Sequence, residues 1–214
     1  MLTKKNEIIY VGDPMCSWCY GIANELDKLI EEYKEKVTFK TVMGGLRPHT
    51  QESMDGETKR MIRHHWEEVY KKSGQPFKYD LLAEETSFIY DTEKPCRAVV
   101  VIRNLKPEAT FSFYKDVQFA FYAENMDTNV PENYLPLAKK YGVSSEDFLK
   151  GFSSEEIRKE TYEDFVWAKQ VGVTGFPTVI YKDEETLYAV ALGYNTFENM
   201  KKTIFNIENG IVTT

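Results

Sequence analysis

The sequence predicts an α/β fold broken by a large all-helical insertion. Three stretches predict it: a strand, turn and helix near the N-terminus, a β-rich hairpin with a helix near the C-terminus, and a long helical-period run between them. Ile8, Ile9, Tyr10 and Val11 read as a buried strand, Gly12-Asp13-Pro14 as a turn, and Ile22, Leu26, Leu29, Ile30 and Tyr33 as the apolar stripe of one helix. Val37, Phe39, Thr41 and Met43 read as a second strand ending at Gly44-Gly45, and strand, helix, strand implies a parallel pair. From about residue 50 to residue 170 the pattern is helical. Ile62, Trp66, Val69 and Tyr70 share one face, with Gly74 and Pro76 as the stop. Pro95 is expected at the first position of a helix through Ala98, Val99, Val101, Ile102 and Leu105, and Pro107 at the start of another through Phe113, Tyr114, Val117 and Phe121. Pro131 opens a further helix that Gly142 ends. Ser144 with Asp147 resembles a weaker capping box, and Ser153 with Glu156 the standard one, opening a helix through Ile157, Phe165 and Ala168. The β pattern returns at residues 178–181 and 187–192 around the polar Lys182-Asp183-Glu184-Glu185-Thr186, and a last helix starts near Thr196.

The chemistry is concentrated in Cys16-Ser17-Trp18-Cys19, which sits where the first strand turns into the first helix. Unpaired N–H groups and the positive end of the helix dipole favour an anion there, so Cys16 is expected to ionise more easily than a free thiol and to act as the nucleophile. Cys19, three residues on, shares its helical side, lies within disulfide reach and is less exposed, which makes it the resolving thiol. Far along the chain, Gly175-Phe176-Pro177-Thr178 stands directly before a strand. A proline there suits a turn into the sheet, and a cis bond before Pro177 is one way to make it.

Asp13-Pro14-Met15-Cys16-Ser17-Trp18-Cys19-Tyr20-Gly21, Gly44-Gly45-Leu46-Arg47-Pro48 and Gly172-Val173-Thr174-Gly175-Phe176-Pro177-Thr178 together resemble the DsbA-like thioredoxin superfamily, in particular its cytoplasmic FrnE-like members. The resemblance runs nearly end to end. It implies a thioredoxin fold, a central mixed sheet flanked by helices, in which residues 1–48 and 171–214 form the thioredoxin-like domain and residues 49–170 the inserted helical one. It also implies a thiol-disulfide oxidoreductase in which Cys16, Cys19 and a facing cis Pro177 are catalytic. Phe176 then offers its backbone to an extended substrate, while Thr178, Trp18 and Tyr20 border it. For Trp18 and Tyr20 the alternative is packing against the inserted helices. The chain departs from periplasmic DsbA, whose Pro-His dipeptide is replaced by Ser17-Trp18, so no imidazole stabilises a thiolate. Expected partners are disulfide-bearing or dithiol client proteins or small thiols, with no cofactor beyond the cysteine pair and glutathione as a candidate reductant. Two other classes stay open: a glutathione-dependent transferase or isomerase of the kappa and 2-hydroxychromene-2-carboxylate isomerase type, which typically has serine at the position of Cys16, and a redox-switched adaptor for a protease.

Composition sets the frame. The 214 residues carry a net charge of -7 and are 42% hydrophobic, enough for a sizeable core and the wrong sign for a nucleic-acid or anionic-membrane surface. No stretch reaches the roughly 18 apolar residues of a membrane span, and Met1-Leu2-Thr3-Lys4-Lys5 is followed by a short strand, so the chain reads as cytoplasmic, with its oligomeric state open. No metal is expected, because Cys16 and Cys19 have no second ligand pair beyond the adjacent His64-His65, whose side chains diverge on a helix. Cys96 reads as a packed core thiol, with a regulatory thiol as the alternative; His49 reads as a loop residue and Asp13 as a turn former.

Overall fold

The structure is a computed structural model and describes residues 6–211. Strand β1 (Glu7–Gly12) leads through the cysteine turn into helices α1 (Ser17–Gly21) and α2 (Ala23–Tyr33), and β2 (Thr38–Met43) returns parallel to β1. Helices α3 (Gly56–Ser73), α4 (Glu93–Leu105), α5 (Thr110–Glu124), α6 (Leu135–Lys140), α7 (Ser145–Ser153) and α8 (Glu155–Gln170) follow. Strands β3 (Thr178–Asp183) and β4 (Thr186–Leu192) then form an antiparallel hairpin, and α9 (Phe197–Glu208) closes the chain's ordered elements. The four strands run in the order β2-β1-β3-β4, with β3 antiparallel to β1, so the sheet is mixed.

Both central strands are buried on both faces, which is why Ile8 to Val11 and Thr178 to Tyr181 are continuous rather than alternating apolar runs. Ile8 and Tyr10 point to one side, where Leu26, Leu29, Phe113, Tyr114, Met200 and Ile204 cover them. Ile9 and Val11 point to the other, against Ala168 and Trp167 of α8. The last helix of the expected insertion therefore covers the sheet. A second, aromatic cluster joins Trp66, Phe88, Tyr90, Phe121 and Tyr122 to Met15 and Tyr20, the residues bracketing the cysteines.

The expected parallel pair, the α3 stop at left-handed Gly74, the Ser144 cap and the Thr196 cap all form. Five local readings are corrected. The first helix is not continuous: it breaks at Ile22, beside Gly21, whose missing side chain admits Val69 of α3. The cap of α8 is Ser154, whose hydroxyl accepts from Glu156 and Ile157 N–H groups, because α7 continues through Ser153 and leaves only one extended residue between the helices. Pro95 lies third in α4, where its missing N–H is still one the helix would leave unpaired. Pro107 and Pro131 each open a 3₁₀ turn before α5 and α6. The hairpin turn is also tighter than the polar run suggests, since pairing extends to Asp183↔Thr186 and Glu184 takes a positive φ.

Candidate active site

Cys16 is the residue before the first turn of α1, in extended conformation, and its N–H donates to the Asp13 carbonyl at 3.0 Å. The turn therefore ends by presenting the sulfur at the head of the helix. Cys16 keeps 7% of its surface exposed and Cys19 none, and the two cysteines approach to 3.5 Å without a bridge. Across the site the Cys16 thiol donates to the Phe176 carbonyl at 3.6 Å, and the Phe176–Pro177 bond is cis. The Pro177 carbonyl in turn accepts from Gly193 N–H at 2.7 Å, which ties the turn to the end of β4.

Two glycines let this arrangement close. A Cβ on Gly44 would sit 2.3 Å from the Phe176 ring, and one on Gly45, already at φ +68, would sit 2.8 Å from the Phe165 ring. Trp18, two residues after Cys16 in the first turn of α1, is half-buried with its ring 6.0 Å from that of Tyr194. The other two expected border residues are buried. Tyr20 is 3% exposed, stacks on Tyr122 at 4.9 Å and donates to the Pro76 carbonyl, so it is interior packing of the aromatic cluster. Thr178 is 3% exposed and its hydroxyl donates to the Gly175 carbonyl at 2.8 Å, which folds the turn before β3 rather than lining a surface. In both cases burial against neighbours distant in sequence outweighs proximity to the motif.

The ionisation of Cys16 is also corrected. Its hydrogen bond with Cys19, its burial, and repulsion from Cys19 and Asp13 hold the thiol well above its ordinary value. The Cys19 N–H at the helix head pulls the other way and is outweighed. The sequence places the helix terminus correctly; it cannot show how much water the fold removes.

Asp13 proves to be more than a turn former. Fully buried, it accepts from Met15 N–H at 2.8 Å and Leu46 N–H at 2.7 Å, and from the Cys96 thiol at 3.6 Å. One carboxylate thus joins the cysteine turn, the glycine loop after β2 and α4 of the insertion. Burial raises its pKa and the two N–H donors oppose the rise. Cys96 is fully buried, and burial with the adjacent carboxylate pushes its thiol up. His49 is exposed on its loop, 5.9 Å from the Tyr162 ring. Among the described residues no group of three or more potential ligands converges as a metal site, and no helix is long and apolar enough to cross a membrane. The Tyr10 and Tyr114 hydroxyls, 3.2 Å apart and beside Cys19, were invisible in sequence; only Tyr10, in phase with Ile8 on the strand before the motif, carried any signal.

Known proteins share this arrangement. A family model described as thioredoxin matches residues 9–201. A putative protein disulfide isomerase from Nitrosomonas europaea is 32% identical and superposes with a TM-score of 0.90 over 96% of this chain and 98% of its own. The cytosolic disulfide reductase DsbM from Pseudomonas aeruginosa, in a structure with GSH, is 25% identical at a TM-score of 0.74, covering 96% of this chain and 100% of that one. A probable DsbA oxidoreductase from Streptomyces coelicolor shares the fold at 16% identity and a TM-score of 0.70, over 98% and 92% of the two chains. No protein of curated function matches significantly. With its mixed sheet, its inserted helices and its cysteines at the head of the first helix, the chain belongs to the thioredoxin family and is DsbA-like.

Proposed function

We propose that this protein is a disulfide oxidoreductase that works through Cys16 and Cys19 and runs mainly as a reductase. The observation that carries the reading is the pair at 3.5 Å, with Cys16 partly open and facing the Phe176 carbonyl. The Cys16 thiolate attacks a substrate disulfide and forms a mixed disulfide, releasing one substrate thiolate. Cys19 then attacks Cys16, closing the intramolecular bond and releasing the second reduced sulfur. Pro177 closes the wall opposite the pair, and the Phe176 backbone pairs with an extended client in β fashion while Trp18 supplies an apolar border.

Direction follows from the thiol. A DsbA-type oxidant owes its strength to a stabilised thiolate in the reduced form, and here the hydrogen bond with Cys19 and burial do the opposite for Cys16. A dithiol without that stabilisation gives up its electrons more readily. The cytosolic reductase named among the similar structures supports this direction, a cytoplasmic setting and a small thiol such as glutathione as the electron source.

The test is an insulin-reduction assay with single variants. Cys16→Ser abolishes turnover, and Cys19→Ser traps the client as a mixed disulfide on Cys16 that mass spectrometry identifies. Turnover surviving Cys16→Ser would remove the assignment.

A further inference from the structure

Resolution of the mixed disulfide asks for a thiolate in a place without water. Cys19 is fully buried, and an anionic sulfur there is strongly disfavoured unless donors reach it. The groups that face it are few. Cys16 comes from the head of α1, Tyr10 from β1 and Tyr114 from α5, with Asp13 of the preceding turn beside Cys16 and Tyr114. The Asp13 carboxylate is an acceptor already held by Met15, Leu46 and Cys96, so it cannot donate to sulfur.

The two tyrosines can. Tyr10 and Tyr114 are fully buried, their hydroxyls lie 3.2 Å apart, and Cys19 is a neighbour of both, close enough for its charge to act on each hydroxyl. Space is kept for both. A Cβ on Gly12 would stand 2.6 Å from the Tyr10 oxygen and 2.8 Å from the Tyr114 oxygen, so the end of β1 is bare where the hydroxyls meet. Phenylalanine at either position would fill the same apolar volume with no polar atom to satisfy, so packing does not explain the hydroxyls.

We propose that the Tyr10 hydroxyl, braced by that of Tyr114, positions Cys19 and donates to its sulfur as it resolves the mixed disulfide. Tyr114 donates to the Tyr10 oxygen, and Tyr10 to sulfur, each bond polarising the next. The step balances without any proton leaving tyrosine. Cys19 loses its proton, its sulfur bonds to that of Cys16, the bond from Cys16 to the client breaks, and the departing client thiolate takes up one proton. Tyr10 is a positioning residue in this account, which rests on the exchange reading above.

Reaction of the reduced protein with 5,5′-dithiobis(2-nitrobenzoate) separates the two steps. The first equivalent of thionitrobenzoate reports attack by Cys16 and the second reports closure by Cys19; Cys96 is fully buried and stays silent. Tyr10→Phe is expected to leave the first phase within about twofold and to slow the second about tenfold near neutral pH, the size of one hydrogen bond to a charged group. Tyr114→Phe, which keeps the direct donor, slows the second phase less, and it carries the test should Tyr10→Phe fail to fold. A second phase unchanged in the variants overturns the proposal while leaving disulfide exchange intact. Equal slowing of both phases at every pH also overturns it, since that is what loosened packing does. Absence of a first release from the native protein removes the exchange reading and this one together.

Discussion

The Cys16 sulfur sits between two opposed effects, and their balance is measurable. The helix head and the Cys19 N–H favour the anion, while burial, the Cys19 sulfur and Asp13 disfavour it, and the second group wins. Alkylation of Cys16 by iodoacetamide is therefore expected to keep rising through pH 9; a plateau below pH 7 would show that the helix head dominates. Asp13 gives a prediction of opposite character. Its folded pKa is raised above the ordinary 3.8 by burial, so its contribution to stability is complete below about that pH and is lost as pH rises through the folded value. Asparagine at the same position does not titrate. The melting-temperature difference, native minus Asp13→Asn, should fall from pH 4 toward neutrality, whatever constant offset the lost acceptor adds. At this scale the motif cysteines and Pro177 could be read from sequence. The burial of Tyr20 and Thr178 could not, because adjacency to a motif says nothing about which way a side chain faces.

At the scale of elements, the caps carry predictions of known size. Ser154 ends α7 and starts α8, and its hydroxyl serves two N–H groups of the helix that covers the sheet. Ser154→Ala should lower stability by about 1 kcal/mol, or roughly 2–4 °C in melting temperature for a chain this long. The same change at Ser153 should do less, and the pair of measurements distinguishes the cap from its neighbour. The glycine loop after β2 predicts a larger effect. With a methyl 2.3 Å from the Phe176 ring, Gly44→Ala must displace the residue whose carbonyl meets Cys16. A loss of roughly 1–3 kcal/mol is expected, together with slowed alkylation of Cys16. The helices were legible here from their 3.6 period, and the two central strands from short continuous apolar runs bounded by turn residues. Their ends were less so, since the break at Ile22 depends on Val69 from another helix.

Across the whole molecule, the inserted helices hold the site as much as the sheet does. Tyr90 donates to the Met15 carbonyl at 2.5 Å, the Thr92 hydroxyl accepts from the Arg47 N–H at 2.9 Å while the Thr92 N–H donates to the Arg47 carbonyl at 3.2 Å, and Asp13 accepts from the Cys96 thiol of α4. The main core contains Ile8, Tyr10, Val99, Phe113 and Tyr181 in one cluster, so sheet and insertion should unfold in a single transition by both circular dichroism and tryptophan fluorescence. Trp66→Ala, which empties the centre of the aromatic cluster, should cost about 3–5 kcal/mol and also change the reactivity of Cys16 through Met15 and Tyr20. An unchanged alkylation rate in that variant would show that the turn stands without the insertion. By itself the sequence determined the order of elements, the cysteine pair at a helix head and the proline before a strand, because these follow from local periodicity and spacing. Only the tertiary structure decided that Asp13 binds three segments, that the Cys19 thiol and burial outweigh the helix-head N–H at Cys16, and that Tyr114 meets Tyr10 beside Cys19. Each of those depends on how much water is excluded and on which distant side chains meet, and neither quantity is written in any short stretch of the chain.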